Sequence, residues 1–298
     1  MNILVTGSNG LLGQKLVKRL LDDSALRVTA TARTKPGTLP SGASFRSLDI
    51  TDTDQVDEVM RQTKPDVLIN TAAATHVDWC EQNREDCLRI NTTAVQYLAD
   101  ACNRHGAHLM QISTDFVFNG NKELLTESDT PEPVNYYGTS KLLAEQYMQR
   151  HSASWCIIRT VLVYGVAADI SRSNIVLWVK KSLEEGKPIQ VVNDQWRTPT
   201  LAEDLASGCY LAAKRKVTDI YHISGEELMT PYEIAIRTAE FFKLDKSQIK
   251  ATDSTQFKQP AKRPLKTGFS ISKAKRELGY SPHSFTEGLS IIHKQLNQ

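Results

Sequence analysis

No stretch of this sequence approaches the roughly 18 consecutive apolar residues of a membrane span. The opening residues, Met1-Asn2-Ile3-Leu4-Val5, read as a strand and lack the basic segment of a secretory leader. Cysteine is scarce. The five, Cys80, Cys87, Cys102, Cys156 and Cys209, form no CxxC pair and no Cys/His spacing of a metal site. Isolated thiols in odd number fit buried, reduced side chains in a cytoplasmic protein, and no metal ligand is assigned. Charge of neither sign dominates, and a formal net charge of +2 points to no polyanionic partner. The strongest local bias is Lys243 to Arg276, where ten Lys and Arg stand against two Asp. Its two readings are attraction to a diphosphate and the solvated faces of small helices. No aromatic residues interleave there at stacking intervals, which disfavours nucleic acid. Repeats and low-complexity segments are missing too. What is present, 40% hydrophobic and 23% charged residues, describes a soluble globular chain.

In the first half, short apolar runs alternate with amphipathic stretches. Ile3–Val5 is a strand, followed by Leu11, Leu12, Leu16, Val17, Leu20 and Leu21 at helical spacing. Strands are expected at Val28–Ala32, Asp66–Asn70, His108–Ile112 and Cys156–Ile158, with helices at Asp54–Gln62, Arg84–Arg104 and Tyr136–Arg150. This alternation predicts βαβ units, a parallel sheet covered on both faces, and right-handed crossovers. After Gly165 the pattern loosens to a helix at Ile175–Glu185, a strand at Ile189–Val192, a helix at Leu201–Lys214, a strand at Ile220–Ile223 and two or three further helices. The fold class is therefore α/β, a Rossmann-type doubly wound parallel sheet with a smaller mixed C-terminal unit. Residues 1–166 plus 200–224 are assigned to the dinucleotide-binding domain, and 167–199 plus 225–298 to the substrate-binding domain.

Gly7, Gly10 and Gly13 form GxxGxxG between the first strand and the first helix. Glycine suits a tight turn there, a close approach of pyrophosphate to bare backbone, and close packing of helix on strand. The helix N-terminus offers free N–H groups and partial positive charge. At the end of the second strand an NAD site carries a carboxylate for the ribose hydroxyls. This chain has Ala32-Arg33-Thr34-Lys35 instead. Arg33 suits a 2′-phosphate, which predicts NADP(H); a plain surface arginine is the alternative. Asp49 and Ile50, after the third strand, are placed over the adenine, with Asp49 accepting from its amino group.

Tyr137 and Lys141 lie four apart on a predicted helix and share one face. A lysine cation favours phenolate and is expected to lower the tyrosine pKa toward neutrality. The lysine can also hold the cofactor ribose. Ser113 and Thr114, at a strand end, supply a hydroxyl to complete a carbonyl-polarising site. YxxxK alone arises often by chance; the glycine turn upstream and Ser113-Thr114 between make the combination specific.

These segments, with NTAAATHVDWCE, STDFVFNG, PVNYYGTSK, NDQWRTPT and KRP, resemble the extended short-chain dehydrogenase/reductase superfamily, and within it the dTDP-4-dehydrorhamnose reductases. The resemblance spans most of the chain. It implies Thr114, Tyr137 and Lys141 as catalytic residues. Asn9, Leu11 and Leu12 would join the glycines at the cofactor, with Ala72, Ala73 and Ala74 backing it and Asn91 in the supporting helix. Val77, Asp115, Phe116, Val117, Leu162 and Trp196 would lie at the sugar, and Arg263 at the nucleotide diphosphate. The implied chemistry is hydride transfer from NADPH to the C4 ketone of a dTDP-linked 6-deoxy-4-keto sugar, giving dTDP-L-rhamnose. Tyr137 would protonate the alkoxide while Thr114 donates a hydrogen bond to it.

Departures from the family pattern bear on the substrate. Leu162 replaces a common tryptophan, removing a flat surface for the sugar. Trp196-Arg197 replaces an aromatic-glycine pair, and an arginine there would reach a phosphate or another chain. Lys15 stands where some members carry a magnesium-binding glutamate, so a homodimer, if formed, is not expected to be magnesium-linked. Two other functions compete. A nucleotide-sugar epimerase or dehydratase is disfavoured by Arg33 and by Phe116 in place of a second carboxylate. A non-catalytic regulatory subunit, similar to the beta subunit of methionine adenosyltransferase, is compatible with an intact Thr114, Tyr137 and Lys141.

Overall fold

The computed structural model describes residues 1–37, 39–168 and 174–297. Its strands are β1 (Asn2–Thr6), β2 (Arg27–Ala32), β3 (Ser44–Ser47), β4 (Val67–Asn70), β5 (His108–Thr114), β6 (Trp155–Thr160), β7 (Val163–Tyr164), β8 (Ile189–Val192), β9 (Thr200–Leu201), β10 (Asp219–His222) and β11 (Ile249–Thr252). The helices are α1 (Leu11–Leu21), α2 (Thr53–Thr63), α3 (Val77–Gln82), α4 (Arg84–Leu88), α5 (Ala94–His105), α6 (Tyr136–His151), α7 (Ile175–Glu184), α8 (Ala202–Arg215), α9 (Pro231–Phe242), α10 (Ser272–Leu278) and α11 (Phe285–Leu296).

Seven strands pair in the order β10-β6-β5-β4-β1-β2-β3, every pair parallel. Both faces are buried because successive side chains of each strand point to opposite sides. In β1, Ile3 and Val5 join Leu16, Leu20, Leu205 and Cys209 on the face covered by α1 and α8. Leu4, between them, joins Val56, Met60, Leu98 and Met148 on the face covered by α2, α5 and α6. The strand order reverses between β1 and β4, so a crevice opens beyond their C-terminal ends, where ligands of such sheets bind. The expected α/β class and parallel sheet are found.

Outside the sheet, β8 pairs with β11 and β7 with β9. Helices α7 and α9 pack Val179, Leu183, Ala235 and Ala239 with Ile189 and Ile249 into a separate cluster. Strand β11 was not anticipated: Ile249–Thr252 is too short and too lysine-interrupted to stand out, and its pairing with β8 creates it. The expected continuous helix Arg84–Arg104 is interrupted by a wide, π-type turn at Arg89–Thr93. Such turns trade helical regularity for the aim of particular side chains, and this one buries Asn91 and Thr92. Of the expected 167–199 and 225–298 segments, residues 169–173 and 298 lie outside the described residues. Among the described residues no helix is long and apolar enough to cross a membrane.

Candidate active site

The glycine turn is shaped by close backbone approaches. Gly7 has φ +66°, and a Cβ there would sit 2.6 Å from the Ala72 backbone nitrogen. A Cβ on Gly13 would meet the Gly7 carbonyl at 2.4 Å. The turn is thus locked between α1 and the loop after β4, and only glycine fits those two positions. Gly10 caps α1, and Leu11 and Leu12 begin it. Asn9 ties the turn to the end of β2 by donating from Nδ2 to the Thr34 carbonyl at 2.9 Å. Ser8 Oγ and Asn9 Oδ1 are buried without a hydrogen-bond partner. Bare backbone, a helix N-terminus and unpaired polar atoms converge here, a set that fits a dinucleotide phosphate.

Arg33 stands exposed just beyond β2. Its charge acts on Asp49, whose Oδ1 accepts from the Thr51 nitrogen at 2.9 Å and the Thr51 hydroxyl at 2.7 Å. Ile50 is buried. Ala72, Ala73 and Ala74 line the loop after β4, each half-buried. Asn91 is buried. Its Oδ1 accepts from the Ala74 nitrogen at 2.8 Å, and its Nδ2 donates to the Ala74 carbonyl at 3.0 Å and to Ser140 Oγ at 3.1 Å. It forms a strut between that loop and α6.

At the end of β5, Thr114 meets α6. Asn135 caps α6, its Oδ1 accepting from the Gly138 nitrogen at 2.8 Å, while its Nδ2 donates to the Lys262 carbonyl at 2.8 Å. One turn places Tyr137 beside Thr114, whose hydroxyl favours the ionised phenol. Lys141, on the same helix face, is buried and donates to the Ile112 carbonyl at 2.6 Å. The expected lowering of the tyrosine pKa by Lys141 is not found. Burial pushes the Tyr137 phenol well above the ordinary tyrosine value, and the Thr114 hydrogen bond offsets only part of that. Burial also pushes Lys141 down to about 8. Both shifts share one cause, the loss of water around the charged form, and the pair rests as neutral phenol and ammonium at neutral pH.

Several residues expected at the sugar lie elsewhere. Val117 is fully buried in a cluster with Phe118, Val161 and Phe269. Asp115 is buried, and its carboxylate takes the hydroxyls of Thr114 and Thr267 and faces Arg197 at 3.6 Å. Neither lines an open sugar site. Arg197 is likewise enclosed, which excludes its expected contact with a phosphate or another chain. Arg263 is held in a two-point pair by Asp78, Nη1 to Oδ1 at 2.6 Å and Nη2 to Oδ2 at 2.7 Å. This pairing keeps the Asp78 carboxyl below the usual carboxylate range. Arg263 still borders a cleft of about 240 Å³ that it shares with Trp178, Gln195 and Phe257. Phe116 lies edge-on to Tyr137, ring centroids 6.0 Å apart. Val77 opens α3, half-buried. Leu162, at φ +37°, and Trp196 are half-buried.

A larger hollow of about 740 Å³, between α1, α8 and residues 34–37, 39 and 40, shares only Ser8 and Asn9 with the glycine turn and none of Thr114, Tyr137 and Lys141. Lys15 borders it, paired with Glu203 at 2.9 Å. No group of His, Cys, Asp and Glu with the makings of a metal site occurs among the described residues. Sequence reasoning missed the Asp78–Arg263 clamp, the Arg197–Asp115 pair and the Asn91 strut. Only the Asn135 cap carried a local signal, an Asn directly before a helical run.

The family model described as the RmlD substrate binding domain matches residues 1–298. The chain is 30% identical to a dTDP-4-dehydrorhamnose reductase of Aggregatibacter actinomycetemcomitans, covering 97% of each. It is 31% identical to methionine adenosyltransferase 2 subunit beta of Xenopus laevis, over 83% of this chain and 74% of that one. Among solved structures, the dTDP-4-dehydrorhamnose reductase of Bacillus anthracis, in complex with NADP, superposes with a TM-score of 0.84 at 27% identity, covering 99% of both chains. This chain therefore belongs to the RmlD substrate binding domain family, within the extended short-chain dehydrogenase/reductase superfamily.

Proposed function

We propose that this protein is an NADPH-dependent reductase of the C4 ketone of a dTDP-linked 6-deoxy-4-keto sugar, a dTDP-4-dehydrorhamnose reductase that forms dTDP-L-rhamnose. The observation that carries the reading is the meeting of Tyr137 and Lys141, on one face of α6, with Thr114 at the end of β5, the phenol being in its protonated form. A reductase needs that form, because the ketone oxygen must receive a proton as carbon receives hydride. When bound, NADPH supplies the hydride.

In this reading Tyr137 gives its O–H proton to the ketone oxygen, and Thr114, beside it at the end of β5, holds the phenol in place. Lys141, charged at neutral pH, stabilises the phenolate left behind. The turn Gly7 to Gly13 seats the pyrophosphate, Asn9, Leu11 and Leu12 border it, Arg33 takes the 2′-phosphate, and Ala72 to Ala74 back the cofactor on a loop braced by Asn91. Residues 1–166 plus 200–224 form the cofactor unit, and 167–199 plus 225–298 the sugar-nucleotide unit. Phe116, Val77, Leu162 and Trp196 border the sugar.

The test is NADPH oxidation by purified protein with the dTDP-4-keto-6-deoxy sugar. Turnover is expected, and Tyr137→Phe is expected to lower kcat by roughly 10²- to 10⁴-fold with NADPH binding kept. Full activity in that variant refutes the assigned proton donor. The likeness to methionine adenosyltransferase 2 subunit beta supports a second reading, a regulatory subunit. Tight NADPH binding without turnover on any keto sugar selects it.

A further inference from the structure

Arg197 is a buried cation, 4% exposed, on the segment between β8 and β9. Its Nη1 donates to the carbonyls of Trp196 at 2.8 Å and Leu265 at 3.0 Å. Its Nη2 donates to the Pro264 carbonyl at 2.7 Å and to Gln195 Oε1 at 3.3 Å. Four bonds to neutral oxygens fix the guanidinium plane but neutralise none of its charge. The remaining donor, Nε, lies 3.6 Å from Asp115 Oδ2, the oxygen that also accepts the Thr267 hydroxyl.

The other carboxylate oxygen leads to the reacting groups. Asp115 Oδ1 accepts the Thr114 hydroxyl at 3.1 Å. Thr114 Oγ1 accepts from the Phe116 nitrogen at 3.2 Å and is the hydroxyl that bears on the Tyr137 phenol. A threonine has one hydroxyl hydrogen. With that hydrogen on Asp115, Thr114 meets Tyr137 as an acceptor. The same guanidinium also stands 5.7 Å from the Phe116 ring, which lies edge-on to Tyr137.

We propose that Arg197 is a positioning residue: it holds the Asp115 carboxylate and, through it, sets the direction of the Thr114 hydroxyl toward Asp115, leaving a Thr114 lone pair for Tyr137. The proposal rests on the reductase reading above for its effect on turnover. In this chain Asp115 is also enclosed, 4% exposed, with a hydroxyl already on each of its oxygens. A carboxylate can only accept, whereas a carboxylic acid would donate to Thr114 and reverse the chain of hydrogen bonds. Burial favours the acid form of Asp115, and Arg197 is the largest influence against it. The other charged or titratable groups facing this pair are Tyr137 toward Asp115 and Asp194 toward Arg197. Asp194 Oδ2 is occupied by the Ser254 nitrogen and hydroxyl. Among the described residues the one ion pair of Asp115 is with Arg197.

The experiment compares wild type, Arg197→Met, Arg197→Gln and Arg197→Lys, all loaded with NADPH. NADPH titration by fluorescence reports that each variant is folded, since Arg197 lies far from the glycine turn in the chain and takes no part in it. Arg197→Met is expected to lower kcat roughly 10- to 100-fold with a smaller change in KM, because a misdirected hydroxyl impairs the reacting geometry. Its kcat profile should shift to higher pH. Infrared difference spectra should gain the C=O stretch of a protonated carboxyl group, and this band should vanish in the Arg197→Met, Asp115→Asn double variant. Arg197→Lys should keep the wild-type pH profile. Arg197→Gln, which retains two N–H donors without charge, takes the place of Arg197→Met if the latter does not fold. A folded uncharged variant with no new carboxyl band and an unchanged pH profile overturns the proposal. A wild type that never reduces the sugar refutes the reductase reading instead, while the carboxyl band still reports on Arg197 and Asp115.

Discussion

Gly138 offers a sharp test of how α6 positions the proton donor. It lies in the first turn of α6, next to Tyr137. A Cβ added there would fall 2.0 Å from the Phe116 carbonyl oxygen, 2.8 Å from its carbonyl carbon and 3.0 Å from Pro133 Cβ. Real Cβ contacts stay beyond 3.0 Å, and the obstacle is backbone, which cannot swing aside. In Gly138→Ala the first turn of α6 must therefore retreat from the Phe116 carbonyl by at least an ångström. Overpacking of this size costs about 1–3 kcal/mol of stability. The catalytic cost is larger, because Tyr137 sits on the retreating turn while Thr114 is on β5. A misplacement of about 1 Å lowers rates by roughly 100-fold. Thermal unfolding, NADPH titration and steady-state NADPH oxidation together read this out. We expect a lowered Tm, a kcat reduced about 100-fold, and NADPH affinity nearly unchanged, because the glycine turn is untouched. A Gly138→Ala protein with wild-type Tm refutes the close approach. One with lowered Tm and wild-type kcat refutes the link between this packing and Tyr137.

Two further outcomes follow from charge. Arg33→Ala should weaken NADPH binding by about 10- to 100-fold, the worth of hydrogen bonds to a charged group, and leave NADH binding nearly unchanged; equal losses for both cofactors would remove Arg33 from the 2′-phosphate. For Lys141, burial lowers the folded-state pKa from 10.5 to about 8. The unfolded chain then binds the extra proton between those values, so stability contributed by this group is lowest below about pH 8 and recovers as pH rises toward 10.5. Lys141→Met should therefore stabilise the cofactor-free protein by about 1–2 kcal/mol near neutral pH, the relief of a buried charge less the lost bond to the Ile112 carbonyl. That gain should shrink near pH 10.5, and thermal unfolding at the two pH values checks it; an equal gain at both contradicts a buried ammonium.

Much of the architecture was legible because it depends on local period. The two-residue alternation in Ile3, Leu4 and Val5 assigns the two faces of β1 wherever the strand sits in the sheet. The helical spacing of Tyr137 and Lys141 puts them on one face of α6 for the same kind of reason. Gly7 and Gly13 were readable because their role, letting α1 approach the turn and the turn approach Ala72, is written at fixed offsets after a strand.

The protonation of the site and the partners of its ionic groups were decided only by tertiary structure. Arg197 was open to a phosphate or a second chain until the fold enclosed it against Asp115. Arg263 pairs with Asp78 across most of the length of the chain. The tyrosine pKa went opposite to the expectation drawn from Lys141, because the loss of water around the phenol outweighs the hydrogen bond it gains. Spacing along a helix or strand is set by covalent geometry and can be read from the sequence. Burial and ion pairing depend on which distant segments exclude water from one another, and that exists only in the assembled fold.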